Sequence, residues 1–312
     1  MTGEGISMKN LRVWIYVLIL AVVLPGVILK LYPQKTNNEY IPKEPVEEVI
    51  SISLLQEDGT ASQVELETYV LGVVTAEMPV DFDIEALKAQ AVLARTYALK
   101  RSTAADKHPE GALCTVSSCC QAYSTQSADS KVHEAVEATE GQVLSYGGSF
   151  IEATYFSCSG GFTEDAAAVW GADVPYLQAV ASPGEENTKH FVTTTKLPVS
   201  DFSGRLGVNL SDGGIGQPVY TAGGGIQTIN IGGKDFTGVQ LRSLLGLKST
   251  AIQMSVVGDQ VVITTKGYGH RVGMSQYGAD AMAVAGSTYE QILAHYYPGT
   301  ALCSYRDLTK GN

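Results

Sequence analysis

The apolar positions of this chain fall first into one long run and then into short alternating and helical stretches. Val13 to Leu29 is apolar throughout. That is the lower end of what crosses a bilayer as a helix, for which about 20 residues suffice, and Pro25-Gly26 would kink it. Lys9 and Arg12 precede the run, Lys30 follows it, and Trp14 and Tyr16 stand near one boundary, as the positive-inside and aromatic-belt patterns expect. No small-x-small cleavage site follows. The run is therefore expected to be an uncleaved transmembrane anchor over 13–30, with residues 1–12 as a cytoplasmic tail. Residues 31–49 are polar, with Pro33, Pro42 and Pro45, and read as a semi-extended linker. The body, 50–305, is then expected outside the cytoplasm.

Within the body, Ile50 to Leu55 alternates as a strand. Tyr69, Val70, Val73 and Val74 then recur at helical spacing. Met78-Pro79 ends that helix, because proline biases the residue before it away from the helical region. Asp81 and Asp83 supply cap oxygens for a second helix with the apolar stripe Ile84, Leu87, Ala91, Ala94 and Ala98. Two charges sit oddly here. Glu77 ends the first helix among Val73, Val74, Ala76 and Met78, where the helix dipole and apolar neighbours both raise a carboxyl pKa, as a general acid requires. Arg95 shares the alanine stripe and needs a carboxylate or a ligand oxygen as partner. The plainer alternatives are a solvated helix-end glutamate and a snorkelling arginine.

Further on, Ala135 to Thr139 reads as helix, with His133 on the surface. Gly141–Tyr146 and Phe150–Phe156 read as a hairpin about Gly147-Gly148. The second strand runs into Ser157-Cys158-Ser159-Gly160-Gly161, followed by Glu164 and Asp165 in a polar turn. Residues 183–265 have the composition of an inserted β-rich subdomain. It contains a short helix and turn over Gly238–Thr250 and a hairpin of Gln253–Val257 with Gln260–Thr265 across Gly258-Asp259. Ser287 and Glu290 form a capping box for a last helix, closed by Tyr296-Tyr297-Pro298-Gly299. The class is α+β: a helical segment around Glu77, mixed strands after it and the β-rich insertion.

The net charge is −11, and the first 35 residues are basic, so the body is more acidic than the total. Nucleic acid is a poor partner for such a surface, because affinity for it rests on phosphate neutralisation. The 16 tyrosines suit a carbohydrate groove, where a ring stacks on a sugar and its hydroxyl bonds it, but they suit cores equally.

Two further stretches carry chemistry. His108, Cys114, Cys119 and Cys120, spaced H-x5-C-x4-C-C, are four ligands of the types zinc takes in a closed tetrahedral site. A disulfide from Cys114 to Cys119 or Cys120 is the rival reading outside the cytoplasm. Cys158 reads as buried and reduced, and Cys303 is left over as its conceivable partner. Gly267 to Ala279 (GYGHRVGMSQYGA) is a glycine loop carrying His270, Ser275, Gln276 and Tyr277. With no strand-plus-acid context it is not a dinucleotide site. Its histidine reads as a general base or as a buried residue.

The run Tyr69-Val70-Leu71-Gly72-Val73-Val74 through Ala76-Glu77-Met78-Pro79, then Glu85 to Tyr97, resembles the signature of the stage II sporulation protein D family. A Ser-x-Ser-Gly-Gly segment, an Arg-x-x-Leu-Gly-Leu-x-Ser-Thr segment and the glycine-histidine box follow in the family's order. The resemblance covers roughly residues 62 to 300 and extends to a related amidase-enhancer branch. It implies a membrane-anchored lytic transglycosylase of spore-forming bacteria, cleaving the β-1,4 bond between N-acetylmuramic acid and N-acetylglucosamine in peptidoglycan. The strands cleaved would be denuded of stem peptides and left with 1,6-anhydro-muramyl ends. Glu77 matches the family's catalytic acid. Gln90, Arg95, Tyr155, Ser157, Ser159, Gln276 and Tyr277 become expected substrate contacts. His108, Cys114, Cys119 and Cys120 become expected ligands of a structural zinc, with Cys119 standing where the family has histidine. Arg271 departs from the family box, where glycine is usual. The setting implied is the engulfing membrane of the mother cell, with an amidase and a membrane-spanning protein as partners. The other reading is a non-catalytic glycan-binding enhancer of a partner amidase.

Overall fold

The structure is a computed structural model that describes residues 8, 10, 12–19, 21, 49–56, 58–104 and 107–309. The chain divides after Glu48 into two units. In the first, residues 12–19 are helical and their apolar side chains, Trp14 and Ile15 among them, are exposed. Among the described residues no helix is long and apolar enough to cross a membrane. Most of the expected 13–30 span, and the 31–48 part of the linker, lie outside the described residues.

The second unit is built around the helix Ile84–Ala104. Asp83 caps it: its Oδ1 accepts from the Glu85 amide at 2.9 Å, and its carbonyl takes the first helical bond. The stripe expected from spacing is too narrow an account, because every side chain from Ala89 to Leu99 is buried. A helix surrounded on all sides has no solvent face to keep polar. Helices Leu66–Glu77, Ser130–Glu137, Gln276–Val284 and Tyr289–Tyr296, with strand Gln142–Tyr146, enclose it. The Leu66–Glu77 helix ends as expected, with Met78 extended at φ −118°.

Small sheets flank these helices. Ser51–Leu55 pairs antiparallel with Ala61–Glu65 and parallel with Leu113–Cys114. Gln142–Tyr146 pairs with Ser149–Phe150 across Gly147-Gly148 and with Ala301–Ser304 on its other side. The hairpin expected to run on to Phe156 stops at Phe150. Tyr155–Phe156 instead pairs parallel with Met274–Ser275, which joins the serine-glycine segment to the glycine-histidine loop. The last capping box also shifts by one residue: Thr288 and Gln291 form it, with the Thr288 amide donating to Gln291 Oε1 at 3.0 Å.

A second apolar core lies within Val192–Lys266. Strands Val192–Pro198, Ala251–Val257 and Gln260–Lys266 form one antiparallel sheet, and the hairpin turns between Val257 and Gln260. Phe202, Leu206, Leu241, Leu245, Ile252, Val261 and Ile263 are buried together there.

Candidate active site

A cleft of about 1010 Å³ opens beside the end of the Leu66–Glu77 helix. Glu77, Gln121, Tyr155, Ser157 and Gln276 line it near that helix end, and Trp170, Arg242, Tyr268 and His270 also line it. Glu77 reaches it because of a glycine one turn earlier. A Cβ on Gly72 would lie 2.3 Å from the Tyr123 ring and 2.8 Å from the Ser124 carbonyl. Without one, the 121–124 segment crosses against the helix, with the Ser124 amide on the Gly72 carbonyl and Tyr123 stacked on Tyr69. That crossing brings the Ala122 amide to Glu77 Oε1 at 2.7 Å.

Glu77 is half-buried, and burial pushes its carboxyl above the ordinary 4.5. Hydrogen bonds from the Ala122 amide, Tyr155 and Gln276 oppose that shift, and burial wins. No cation faces it. Behind it, Tyr69 donates to Gln121 Oε1 at 3.1 Å, and Gln121 Nε2 donates to the Tyr155 hydroxyl at 3.0 Å. With its oxygen already accepting, Tyr155 is left to give its own proton towards Glu77. Gln276 Nε2 donates to the Glu77 carbonyl at 3.2 Å and fixes the helix end.

The other residues expected in the site fall elsewhere. Arg95 is fully buried and forks onto Glu67, Nε to Oε1 at 2.8 Å and Nη2 to Oε2 at 2.6 Å, with Nη1 on the Gln142 carbonyl. It found a carboxylate within the fold rather than a ligand. Gln90 is buried behind Gln276, whose Nε2 lies 3.5 Å from its Oε1. Ser159 is buried against Glu185, to which its hydroxyl and amide donate. Tyr277 packs edge-on against Phe82 and His190 outside the cleft lining. Ser157 and Gln276 do line it, beside Glu77 and Tyr155.

Glu164 and Asp165 are not in a solvated turn. Glu164 is 1% exposed and pairs with Arg271 at 3.3 Å, and Asp165 accepts the Ala179 amide. Arg271 stands at φ 66°, the left-handed region that glycine enters freely, so the arginine keeps the backbone a glycine would give. Its guanidinium also reaches the Ser159, Phe162 and Gly223 carbonyls. His270 has both ring nitrogens engaged with backbone: Nδ1 accepts the Val272 amide at 3.1 Å, and the other bonds Tyr155. Burial and nearby Arg242 push it down to about 4, so the imidazole is neutral at pH 7, and its ring nitrogens are taken up by backbone groups.

Sequence reasoning missed Glu152, Gln121, Trp170 and Arg242 as cleft residues. Trp170 carried a sequence signal, a tryptophan before a glycine, and Arg242 opens the Arg-x-x-Leu-Gly-Leu-x-Ser-Thr segment; Glu152 and Gln121 stand in unremarkable local patterns. Glu152 is the second carboxylate in the lining, but Arg101 holds it at 2.5 Å and Lys100 at 3.4 Å.

The four expected metal ligands do converge. The ligand atoms of His108, Cys114, Cys119 and Cys120 all lie within 4.8 Å of one another. Tetrahedral zinc with thiolates separates its sulfurs by about 3.8 Å, so the set fits a closed soft-metal site. Glu110 at φ 56° and Gly111 at φ 70° make the bend after His108, and Cys119 and Cys120 share the Val116 carbonyl. All five cysteines are free. Cys158 donates to Glu185 and Cys303 to Ser145, so the conceivable bridge between them is absent.

A family model described as stage II sporulation protein matches residues 56–146. Stage II sporulation protein D of Bacillus subtilis is 38% identical over 259 residues, covering 78% of this chain and 76% of that protein. This chain belongs to the stage II sporulation protein D family. The Bacillus amyloliquefaciens protein of that name is 39% identical over 77% of this chain and 74% of its own. The amidase enhancer of Bacillus subtilis is 32% identical over 75% of this chain and 40% of its own length. In this member of the family, the matched 56–146 segment carries Glu77, the segment that crosses Gly72 and all four converging ligands.

Proposed function

We propose that this chain is a lytic transglycosylase acting on peptidoglycan glycan strands during the engulfment stage of sporulation, with Glu77 as its acid and base. One observation carries the reading. Among the described residues two carboxylates line the cleft: Glu152 is bound by two cations, whereas Glu77 has no cation among the causes of its shift and is raised by burial. A hydrolase that activates water needs a second free carboxylate. A transglycosylase does not, because its nucleophile is intramolecular. Glu77 protonates the glycosidic oxygen as the bond to muramyl C1 breaks. The C6 hydroxyl of the same sugar bonds to C1 and returns its proton to Glu77, leaving a 1,6-anhydro end. Tyr155 and the Ala122 amide hold the carboxylate between these transfers, and Ser157 and Gln276 flank the sugar.

His108, Cys114, Cys119 and Cys120 would hold a zinc ion. Four protein ligands leave no open position, so the metal would brace structure. The segment it braces is the one whose next residues, Gln121 and Ala122, reach Tyr155 and Glu77. Residues 13–30 would anchor the protein in the mother-cell membrane with the body outside the cytoplasm. An amidase and a membrane-spanning protein would be its partners there.

The test is digestion of denuded and intact glycan strands by wild type and Glu77→Gln, with products read by mass spectrometry. Anhydro-muramyl ends from wild type alone support the reading; reducing ends would mean hydrolysis and sink it. The relationship to the amidase enhancer supports a second reading, stimulation of an amidase without cleavage, which predicts that neither protein cuts.

A further inference from the structure

The cleft has a neighbour. Val174 and Leu177 line it and also line a second hollow of about 390 Å³. The short helix Ala166–Trp170 stands between the two: Trp170 lines the cleft, and Ala167 and Ala168 line the hollow. The chemistry proposed for Glu77 makes no use of this second space. Asp165, Asp173, Gln178, Tyr220 and Gln227 bring polar side chains to it, and among the described residues no cation lines it. One Asp165 oxygen accepts the Ala179 amide at 2.8 Å, and among the described residues neither aspartate is in an ion pair.

The wall opposite the alanines is fixed in place. Tyr220 and Gln227 come from the antiparallel pair Val219–Tyr220 and Ile226–Ile231, in which Val219 faces Thr228 and Tyr220 faces Ile226. Gln227 is the extra residue of that bulge, and a bulge re-aims the side chains beside it. The turn between the strands is held by the buried Glu164–Arg271 pair. The Thr221 hydroxyl and the Gly225 amide donate to Glu164 Oε1 at 2.8 and 2.7 Å, and Arg271 Nη2 donates to the Gly223 carbonyl at 2.6 Å. A Cβ on Gly223 would lie 2.1 Å from the Thr163 carbonyl oxygen, so only glycine permits that approach. Tyr220 is therefore 46% exposed on a braced wall, with a ring face open to a ligand.

We infer that this hollow is a distal sugar subsite, taking a neutral N-acetylglucosamine unit of the strand whose bond is broken at Glu77. The inference rests on the glycan reading above. A tyrosine ring stacks on a sugar face, while carboxylates and side-chain amides bond its hydroxyls and its acetamido group. Val174 and Leu177 form the apolar saddle over which the strand passes from cleft to hollow. The charge decides which sugar is taken. A sugar bearing a carboxylate would meet Asp165 and Asp173 with no cation to offset them, and such like-charge contacts cost affinity. A unit without a carboxylate fits, so the subsite also sets which sugars of an alternating strand fall at Glu77.

The experiment uses the full chain in detergent, on the Glu77→Gln background, with N-acetylglucosamine trisaccharide and hexasaccharide as probes. The hexasaccharide is expected to bind about tenfold more tightly, as further stacked and hydrogen-bonded sugars imply, and to slow hydrogen exchange over residues 219–228. Tyr220→Ala should lose both effects and keep its trisaccharide affinity, while Tyr220→Phe keeps most of the gain. Carboxymethyl groups on the hexasaccharide should abolish the gain, and Asp173→Asn should restore part of it. Equal binding of the two probes, no binding of either, or a Tyr220→Ala variant with the full gain overturns the inference. A gain that survives carboxymethylation overturns it as well. Cleavage of glycan strands by the same chain with Glu77 intact is read separately. Anhydro-muramyl ends with no length effect leave the transglycosylase standing without the subsite. The length effect and its loss in Tyr220→Ala, with no strand cut, leave the subsite standing without the transglycosylase.

Discussion

The Ala122 amide donates to Glu77 Oε1 at 2.7 Å while burial holds the same carboxyl above its ordinary pKa. The two effects oppose each other. The hydrogen bond favours the carboxylate that follows proton donation, and the half-buried site favours the acid that precedes it. A group that must be acid and base in one cycle needs both forms within reach.

Replacing Glu77 with Gln should therefore leave the fold intact and remove at least about 100-fold of the cleavage rate, the usual scale of general acid catalysis. The amide oxygen can still accept from Ala122. The sign of the pH dependence follows from the upward shift. Activity requires the protonated acid, so kcat/KM should be flat at low pH and fall as pH rises through the raised pKa. Stability follows the same sense: Glu77's contribution is complete below 4.5 and is lost as pH rises through the folded value. Denaturation of wild type and Glu77→Gln across pH 4 to 8, a range of about four units around ordinary carboxylate values, checks it.

Gly72→Ala tests how the acid is placed. Its Cβ would meet the Tyr123 ring and Ser124 carbonyl well inside contact distance. Overpacking of this kind costs about 1–3 kcal/mol. The 121–124 segment should lift, the Ala122 bond should weaken, and the falling limb of the pH profile should move to higher pH. An unchanged profile would separate this segment from Glu77.

Arg271→Gly tests the buried pair. Glycine fits φ 66° better, yet it leaves Glu164 buried among the Thr221 hydroxyl and Gly225 amide without its cation. Breaking such a pair costs about 3–5 kcal/mol. Adding Glu164→Gln should recover much of that loss in thermal unfolding. Failure of the double variant to recover would assign the cost to the guanidinium's bonds to the Ser159 and Gly223 carbonyls.

Metal removal should act on stability first. Purified protein is expected to carry one zinc per chain by elemental analysis. A chelator or Cys120→Ser should lower the melting temperature and reduce activity through the 121–122 segment. Burial pushes the Cys120 thiol up to about 11 in the absence of an ion, so binding must displace its proton, and affinity should fall as pH falls. Full stability after complete zinc loss would count against a structural metal.

Much of this was legible along the chain because it is local. Helical spacing, Met78-Pro79 and Asp83 delimit the two helices; the alternation about Gly258-Asp259 delimits the hairpin; and four ligands close together in sequence meet because the bend at Glu110-Gly111 and the turn on the Val116 carbonyl fold the loop back. What the sequence could not reveal is non-local. Tyr155–Phe156 pairs with Met274–Ser275 rather than with its own hairpin, because a two-residue strand takes whichever edge the surrounding packing offers. Arg95 shares a motif with Glu77, yet its side chain leaves the helix towards Glu67, and no spacing rule says which buried charge will find a partner inside the fold. Glu152 carries no local signal, and Arg242 opens a recognisable segment that does not say what its side chain faces; packing puts both on the cleft wall. The sequence by itself determined most helix and hairpin limits, the place of Glu77 at a helix end and the nearness of the four ligands along the chain, because each depends on neighbours within a few residues. Tertiary structure alone decided which charges are neutralised and which face the cleft, because that depends on partners brought together by packing.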